Sequence, residues 1–357
     1  MKSLSLLAPA LVAVAAPALA HDYLIAPTRP DRLVIVDAEA MAVDKVITIP
    51  KAGPLPSLPV ITPDGKRIFI IIAKNEAISE IDIETGEEVN RIELSSEDER
   101  VKALFGMDLS PDGTTLAVYE SPVKLYKNHY EVEPTRIALY DAATGELKTR
   151  TEAPRQITVL AYSADGSKLY GMGREMHVFD GATGEKVGEM PIQSWGQGEY
   201  VQPDVLDAWS QFEVADMVTT PFYTFRADGD PNDPEAYRTG MLTLDLETGE
   251  MVMKDAEATD IFYFSTVADA DRTRLYGVYN QLASFDLASA QPIKRVDLPH
   301  SYYTVNVSSD GKTLYIGGTL GDIGVYDAET LERKGQIDMP DGYSMSLASI
   351  RLFTRDD

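Results

Sequence analysis

Cysteine is absent from all 357 residues, and that absence removes several chemistries from the chain. It has no thiolate nucleophile or thiolate metal site, no thioether attachment for a c-type haem, and no ligands for an iron–sulfur cluster. It also forms no disulfides, so the fold rests on its apolar core, which is feasible at this length. Histidine is scarce: His21, His129, His177 and His300 stand far apart, none with a partner at metal-ligand spacing. Positive charge is short as well, 32 Lys and Arg against 57 Asp and Glu for a net charge of -25. A surface so acidic argues against nucleic acid or an anionic membrane as partner; it serves solubility, or the steering of a cationic partner or substrate. Past residue 20 no run approaches the roughly 18 uncharged apolar residues of a membrane span, and no segment sustains a helical period.

The first twenty residues, MKSLSLLAPALVAVAAPALA, carry Lys2, an apolar stretch and small residues at Ala18 and Ala20. That is the form of a secretory signal, so the mature chain is expected to begin at His21 as a single exported domain over residues 21–357, in the periplasm. A free amine beside the His21 imidazole could chelate copper; a disordered terminus is the plainer expectation.

The dominant feature is repetition. An Asp-initiated turn recurs seven times, at Asp37, Asp82, Asp141, Asp180, Asp245, Asp286 and Asp327, in strings such as DIETGEE, DAATGEL and DGATGEK. Between them lies a second turn, in TPDGKRIFI, SPDGTTLAV, SADGSKLYG, DADRTRLYG and SSDGKTLYI. Asp-Gly flanked by β-branched and apolar residues is a hairpin signal. A period of about 40 residues with strand-length apolar runs predicts propeller blades. The fold class is therefore all-β, a seven-bladed β-propeller of four-stranded antiparallel blades. The first blade is one strand short and residues 344–353 are an orphan strand, so pairing of the N- and C-terminal strands is expected to close the ring.

Both tight turns, between strands one and two and between strands three and four, fall on one face of such a ring. The opposite face carries everything that breaks the period: residues 119–136, 193–209 and 226–240. Tyr126, Tyr130, Trp195 and Trp209 in these insertions are candidates for contacting a partner. Segments leading into the inner strands converge on the axial tunnel and are rich in aromatic residues. Phe105, Arg155, Phe262, Tyr263, His300, Tyr302, Tyr303 and Tyr343 are the candidates for lining a cavity or a partner face. Consecutive Tyr302 and Tyr303 should point to opposite sides, so at most one faces the cavity. DGDPND at 228–233 resembles the start of a calcium loop, but Asp233 and Thr239 stand where Gly and Glu are needed, and a solvated turn is expected. No Ser-His-Asp set and no metal site can be assigned, and no catalytic residue is expected in the chain.

Several strings outside generic propeller turns carry a resemblance: HDYLIAPTRPDRLVIVDAEAMAVDKVITI, PTRIALYDA, APRQIT, PIQSW, QPDVL, TPFYT, AYRTGMLTLDLETGEM, LPHSYYTVNVS and MSLASIRLFTRD. The chain resembles, over essentially its whole mature length, the β subunit of bacterial quinohemoprotein amine dehydrogenases. The heavy chain of methylamine dehydrogenase shares the architecture but not these strings. The resemblance implies a periplasmic heterotrimer that oxidises primary amines to aldehydes and ammonia. A γ subunit would carry a cysteine tryptophylquinone, and an α subunit two c-type haems passing electrons to a periplasmic cytochrome or blue-copper protein. The propeller would scaffold the assembly, wall part of the substrate cavity, and be inactive alone. Against this stand two other readings, a free-standing hydrolase of lactonase type and an exported binding scaffold.

Overall fold

A computed structural model describes residues 21–196, 198–205, 209, 211–345 and 349–355; the expected signal at 1–20 lies outside them. The strands form seven antiparallel sheets, six of them built on four strands in sequence order from the axis outward. The blade that closes the ring takes its inner strand from Arg351–Arg355 and its outer three from His21–Thr28, Arg32–Asp37 and Ala42–Thr48. His21 pairs with Arg355, Tyr23 with Phe353 and Ile25 with Arg351. Termini are thus joined and the ring has no free inner edge. The closing strand begins later than the sequence suggests. Ser344 and Met345 instead bond to the loops of blades 1 and 7, through Arg29 N–H to the Ser344 carbonyl at 2.8 Å and Met345 N–H to the Leu320 carbonyl at 2.9 Å; residues 346–348 lie outside the described set. Nor is His21 a disordered end, since it sits in the ladder with Nε2 2.9 Å from Asp37 Oδ1.

Each recurring Asp builds its own turn. Asp141 Oδ1 accepts the N–H groups of Ala143 and Thr144 and the Thr144 hydroxyl, and Asp180 and Asp327 repeat the pattern. Hydrogen bonds to the charged form hold these carboxyls below the usual Asp range, Asp327 at about 2. Gly145 follows at φ +72°, in the left-handed region that glycine enters without strain. Part of the chain's acidity is therefore turn architecture.

Seven apolar clusters hold the ring, and each spans two neighbouring blades. One face of the His21–Thr28 strand, Leu24 and Ala26, packs on Tyr315, Ile323 and Val325 of blade 7. Its other face, Tyr23 and Ile25, packs on Ile68, Ile70 and Ile72 of blade 2. A strand between two blades is buried on both sides, so it reads as a continuous apolar run without alternation. Outer strands such as Ala42–Thr48 keep one face in solvent and alternate.

Candidate functional site: the plugged mouth of the axial tunnel

The period-breaking segments do lie on the face opposite the tight turns, but 119–136 is not a loop. Blade 3 extends beyond its neighbours as an antiparallel hairpin, Glu99–Leu109 against Thr115–Leu125, with Tyr130–Val132 folding back on the latter. At its tip Tyr126 stacks on His129, centroids 4.5 Å apart and planes within 7°. Tyr126, Tyr130 and Val132 are exposed, Tyr130 by 74%. The hairpin's base is clamped electrostatically. Glu120, fully buried, receives Arg136 Nε at 2.6 Å and the Tyr140 hydroxyl at 2.5 Å, while Arg136 also donates two bonds to Glu99. Burial opposes the Arg136 charge, but the hydrogen bonds to Glu99 and Glu120 outweigh it and raise its pKa.

Four inner-strand regions meet across the axis at this face. Trp209 of blade 5 is the hub, its ring 6.0 Å from Phe105 of blade 3, 5.9 Å from Phe264 of blade 6 and 5.5 Å from Tyr303 of blade 7. Phe264 also lies 4.6 Å from Tyr303 and 4.5 Å from Tyr279. Tilted and edge-on pairs of this kind are each worth about 0.5–1.5 kcal/mol beyond area burial. The result is an aromatic plug closing the mouth. Two of its rings sit at ladder irregularities: two extra residues lie between Ala103 and Met107, with Phe105 at φ +61°, and one between Tyr263 and Ser265, at Phe264.

A polar layer follows two to three residues further along these segments, at Gln211 and Asp108. Arg351 of the closing strand pairs with Glu213 of blade 5, and its guanidinium lies 5.1 Å from the Phe212 ring. Gln211 donates to the Trp209 carbonyl and the Ser349 hydroxyl. Asp108, buried, accepts the Tyr162 N–H at 2.7 Å. Burial pushes its carboxyl up to about 7, with the nearby Glu213 charge adding to this and Arg351 opposing it.

The predicted site residues divide accordingly. Phe105, Tyr303 and Trp209 meet in the plug, where Trp209 is buried against the other rings and does not project outward. Phe262 stands on the rim, 57% exposed, its ring 4.9 Å from Tyr223. Tyr263 and Tyr302 are fully buried between blades, which corrects the expectation that they wall a cavity: their strands turn these rings toward neighbouring blades. Tyr302 donates to Asp322 at 2.7 Å, and Asp322 also faces His300 Nε2 at 3.0 Å. Tyr302 buried and Tyr303 toward the axis is the alternation expected of an extended pair. Trp195 likewise points inward: its indole donates to the Met253 carbonyl at 3.0 Å and stacks on Tyr200. Arg155 is exposed and reaches the Glu133 carbonyl at 3.4 Å; Tyr343 lies under the Arg32 guanidinium. Phe264 and Tyr279 were missed. Phe264 follows buried Tyr263 as Tyr303 follows buried Tyr302, and it sits at the one-residue irregularity of its ladder. The 228–233 segment is a solvated turn in which Asp230 and Asp233 cap backbone N–H groups.

Among the described residues no group of three or more His, Asp or Glu side chains could hold a metal ion, and no helix is long and apolar enough to cross a membrane. No protein-family model and no curated protein matches the chain. Solved structures do. Hydrazine synthase from Kuenenia stuttgartiensis is similar at 16% identity and TM-score 0.58, over 87% of this chain and 90% of that one. A functionally unknown protein from Desulfotomaculum acetoxidans is similar at 13% identity and TM-score 0.61, over 94% and 99%. The dihydro-heme d1 dehydrogenase NirN is similar at 14% identity and TM-score 0.56, over 97% and 77%. At such identities the likeness shows a shared β-propeller fold, one that redox enzymes also use.

Proposed function

We propose that this chain is the cofactor-free propeller subunit of an exported amine dehydrogenase of the quinohemoprotein type, its mature form beginning at His21 and acting in the periplasm. The observation that carries the reading is the asymmetry of the two faces. One is a ring of self-satisfied turns; the other presents a closed aromatic plug, a rim with Phe262, and a clamped hairpin with Tyr126 and Tyr130 outermost. Exposed aromatics on a rigid support are the usual anchors of a protein interface. The plug supplies a dry apolar surface against which a partner could enclose an alkyl amine.

Without cysteine the chain can make neither a cysteine tryptophylquinone nor a haem thioether, so in this reading the quinone belongs to a γ subunit and the two haems to an α subunit. The quinone would supply the oxidation chemistry when bound there, and the haems the path to a periplasmic cytochrome or blue-copper protein. This chain's residues would orient the partners and exclude water. The redox roles named for two of the similar structures are consistent with such a subunit.

The test is to purify the tagged protein from its native host and record its visible spectrum and its amine-dependent reduction of a dye. Co-purifying haem absorbance with amine oxidation is expected; a colourless, solitary chain would overturn the reading. A second result addresses the face. Shortening the hairpin tip over 124–131 is expected to abolish co-purification, whereas Lys66→Glu, in a tight turn of the opposite face, should leave it intact. Normal assembly of the shortened variant would remove the hairpin from the interface.

A further inference from the structure

Four clefts of the molecule recur at equivalent places, between neighbouring blades on the tight-turn side. A fifth does not. It opens on the elaborated face between blades 4 and 5, has a volume of about 280 Å³, and is built from segments that the propeller repeat does not require. Gln156 of APRQIT, Ile192 and Gln193 of PIQSW, and Pro203 and Asp204 of QPDVL all line it. Three irregular loop strings, separate in sequence, thus converge on one small cavity.

Its chemistry is amphoteric. Arg174, on the loop of blade 4 between Lys168–Met172 and Met176–Asp180, and Asp204, on the inner strand of blade 5, both line the cleft. They form no ion pair with each other, and among the described residues neither has another charged partner. Opposite charges left unpaired across one cavity can each meet a group of a third molecule. The floor is apolar, with Met172 and Ile192 buried in the core between blades 4 and 5. Gly173 lets two walls of the cleft pack closely, since a Cβ there would meet the Gln156 carbonyl at 3.0 Å.

The roof is held from both sides. Glu175 accepts the N–H groups of Ile192 and Gln193 on blade 4. On blade 5, Trp195 and Tyr200 fasten the same segment through the Met253 carbonyl and, at 2.9 Å, Asp255. A cavity so braced is formed before any ligand arrives, which lowers the cost of binding.

We propose that the cleft between blades 4 and 5 binds a small zwitterion with an aliphatic body, an α-amino acid of the size of valine, leucine or methionine, its carboxylate toward Arg174 and its ammonium toward Asp204. A volume just below the usual 300 Å³ lower bound for ligand pockets suits a molecule of that size and excludes nucleotides and haems. The inference is independent of the amine dehydrogenase reading.

The experiment is isothermal titration of the purified protein with L-valine, L-leucine and L-methionine, and in parallel with 4-methylpentanoate and isopentylamine, which each keep one charge. At least one amino acid is expected to bind saturably, and more tightly than either singly charged analogue. Arg174→Gln and Asp204→Asn should each weaken it by about tenfold or more; both positions are exposed, and circular dichroism checks the folding of each variant directly. No saturable binding up to about 10 mM would overturn the proposal. So would equal binding of isopentylamine or 4-methylpentanoate, or unchanged affinity in both variants.

Discussion

Glu120→Ala is expected to destabilise the chain by about 3–5 kcal/mol, the cost of stranding a buried charge when its partner is removed. Glu120 is fully buried where the blade 3 hairpin leaves the ring, opposite both Ala103 and Arg136 in the ladder. Its two oxygens receive Arg136 at 2.6 Å, Arg150 at 3.3 Å and the Tyr140 hydroxyl at 2.5 Å. Alanine leaves the Arg136 guanidinium with Glu99 alone and the Tyr140 hydroxyl without its carboxylate. Glu99 is partly exposed and already engaged, so it recovers only part of the loss. Glu120→Gln keeps an acceptor for Tyr140 and should cost clearly less, which separates lost charge from lost shape. Urea unfolding followed by circular dichroism checks both. A Glu120→Ala midpoint within about 0.5 kcal/mol of wild type would show that the clamp contributes nothing.

The second large effect is a pH dependence written into the tunnel. Burial holds the Asp108 carboxyl protonated up to about pH 7, against 3.8 when unburied. Between those values the unfolded chain has released a proton that the native state retains. The stabilisation is thus complete below pH 3.8 and is lost as pH rises toward 7. A difference of roughly three pKa units corresponds to on the order of 4 kcal/mol. Asn cannot ionise but can still accept the Tyr162 N–H, so Asp108→Asn should remove this slope. The stability difference between variant and wild type is expected to swing toward the variant by several kcal/mol from pH 4 to pH 7.5. The turn carboxylates, Asp327 among them, act in the opposite direction and below this window, because their depressed pKa values remove stability only as pH falls toward 2. Both proteins share them, so they cancel in the comparison. Parallel pH profiles for the two proteins would show that Asp108 is ionised in the native tunnel at neutral pH.

Seven blades, their strand order and the side on which the insertions emerge were legible in the residues, because these features are local. An Asp at the head of a turn accepts N–H groups two and three residues on, and a Gly at the fifth position adopts the left-handed backbone; both interactions close within one hairpin. Even the joining of the termini follows from counting strands. What the sequence could not determine is where individual side chains point on the working face. Tyr263, Phe264, Tyr302 and Tyr303 are one aromatic vocabulary, yet two are sealed between blades and two close the tunnel. At Phe264 one extra residue shifts the two-residue period by one for the rest of its strand, while in blade 3 two extra residues between Ala103 and Met107 leave the period unchanged but lift Phe105 out of the ladder. Trp195 and Trp209, alike as large apolar residues in one long insertion, part company for a similar reason: one is claimed by the outer strand of its own blade, the other by rings from blades 3, 6 and 7. Contacts between residues far apart in the chain decide these orientations, and they exist only once the ring has closed.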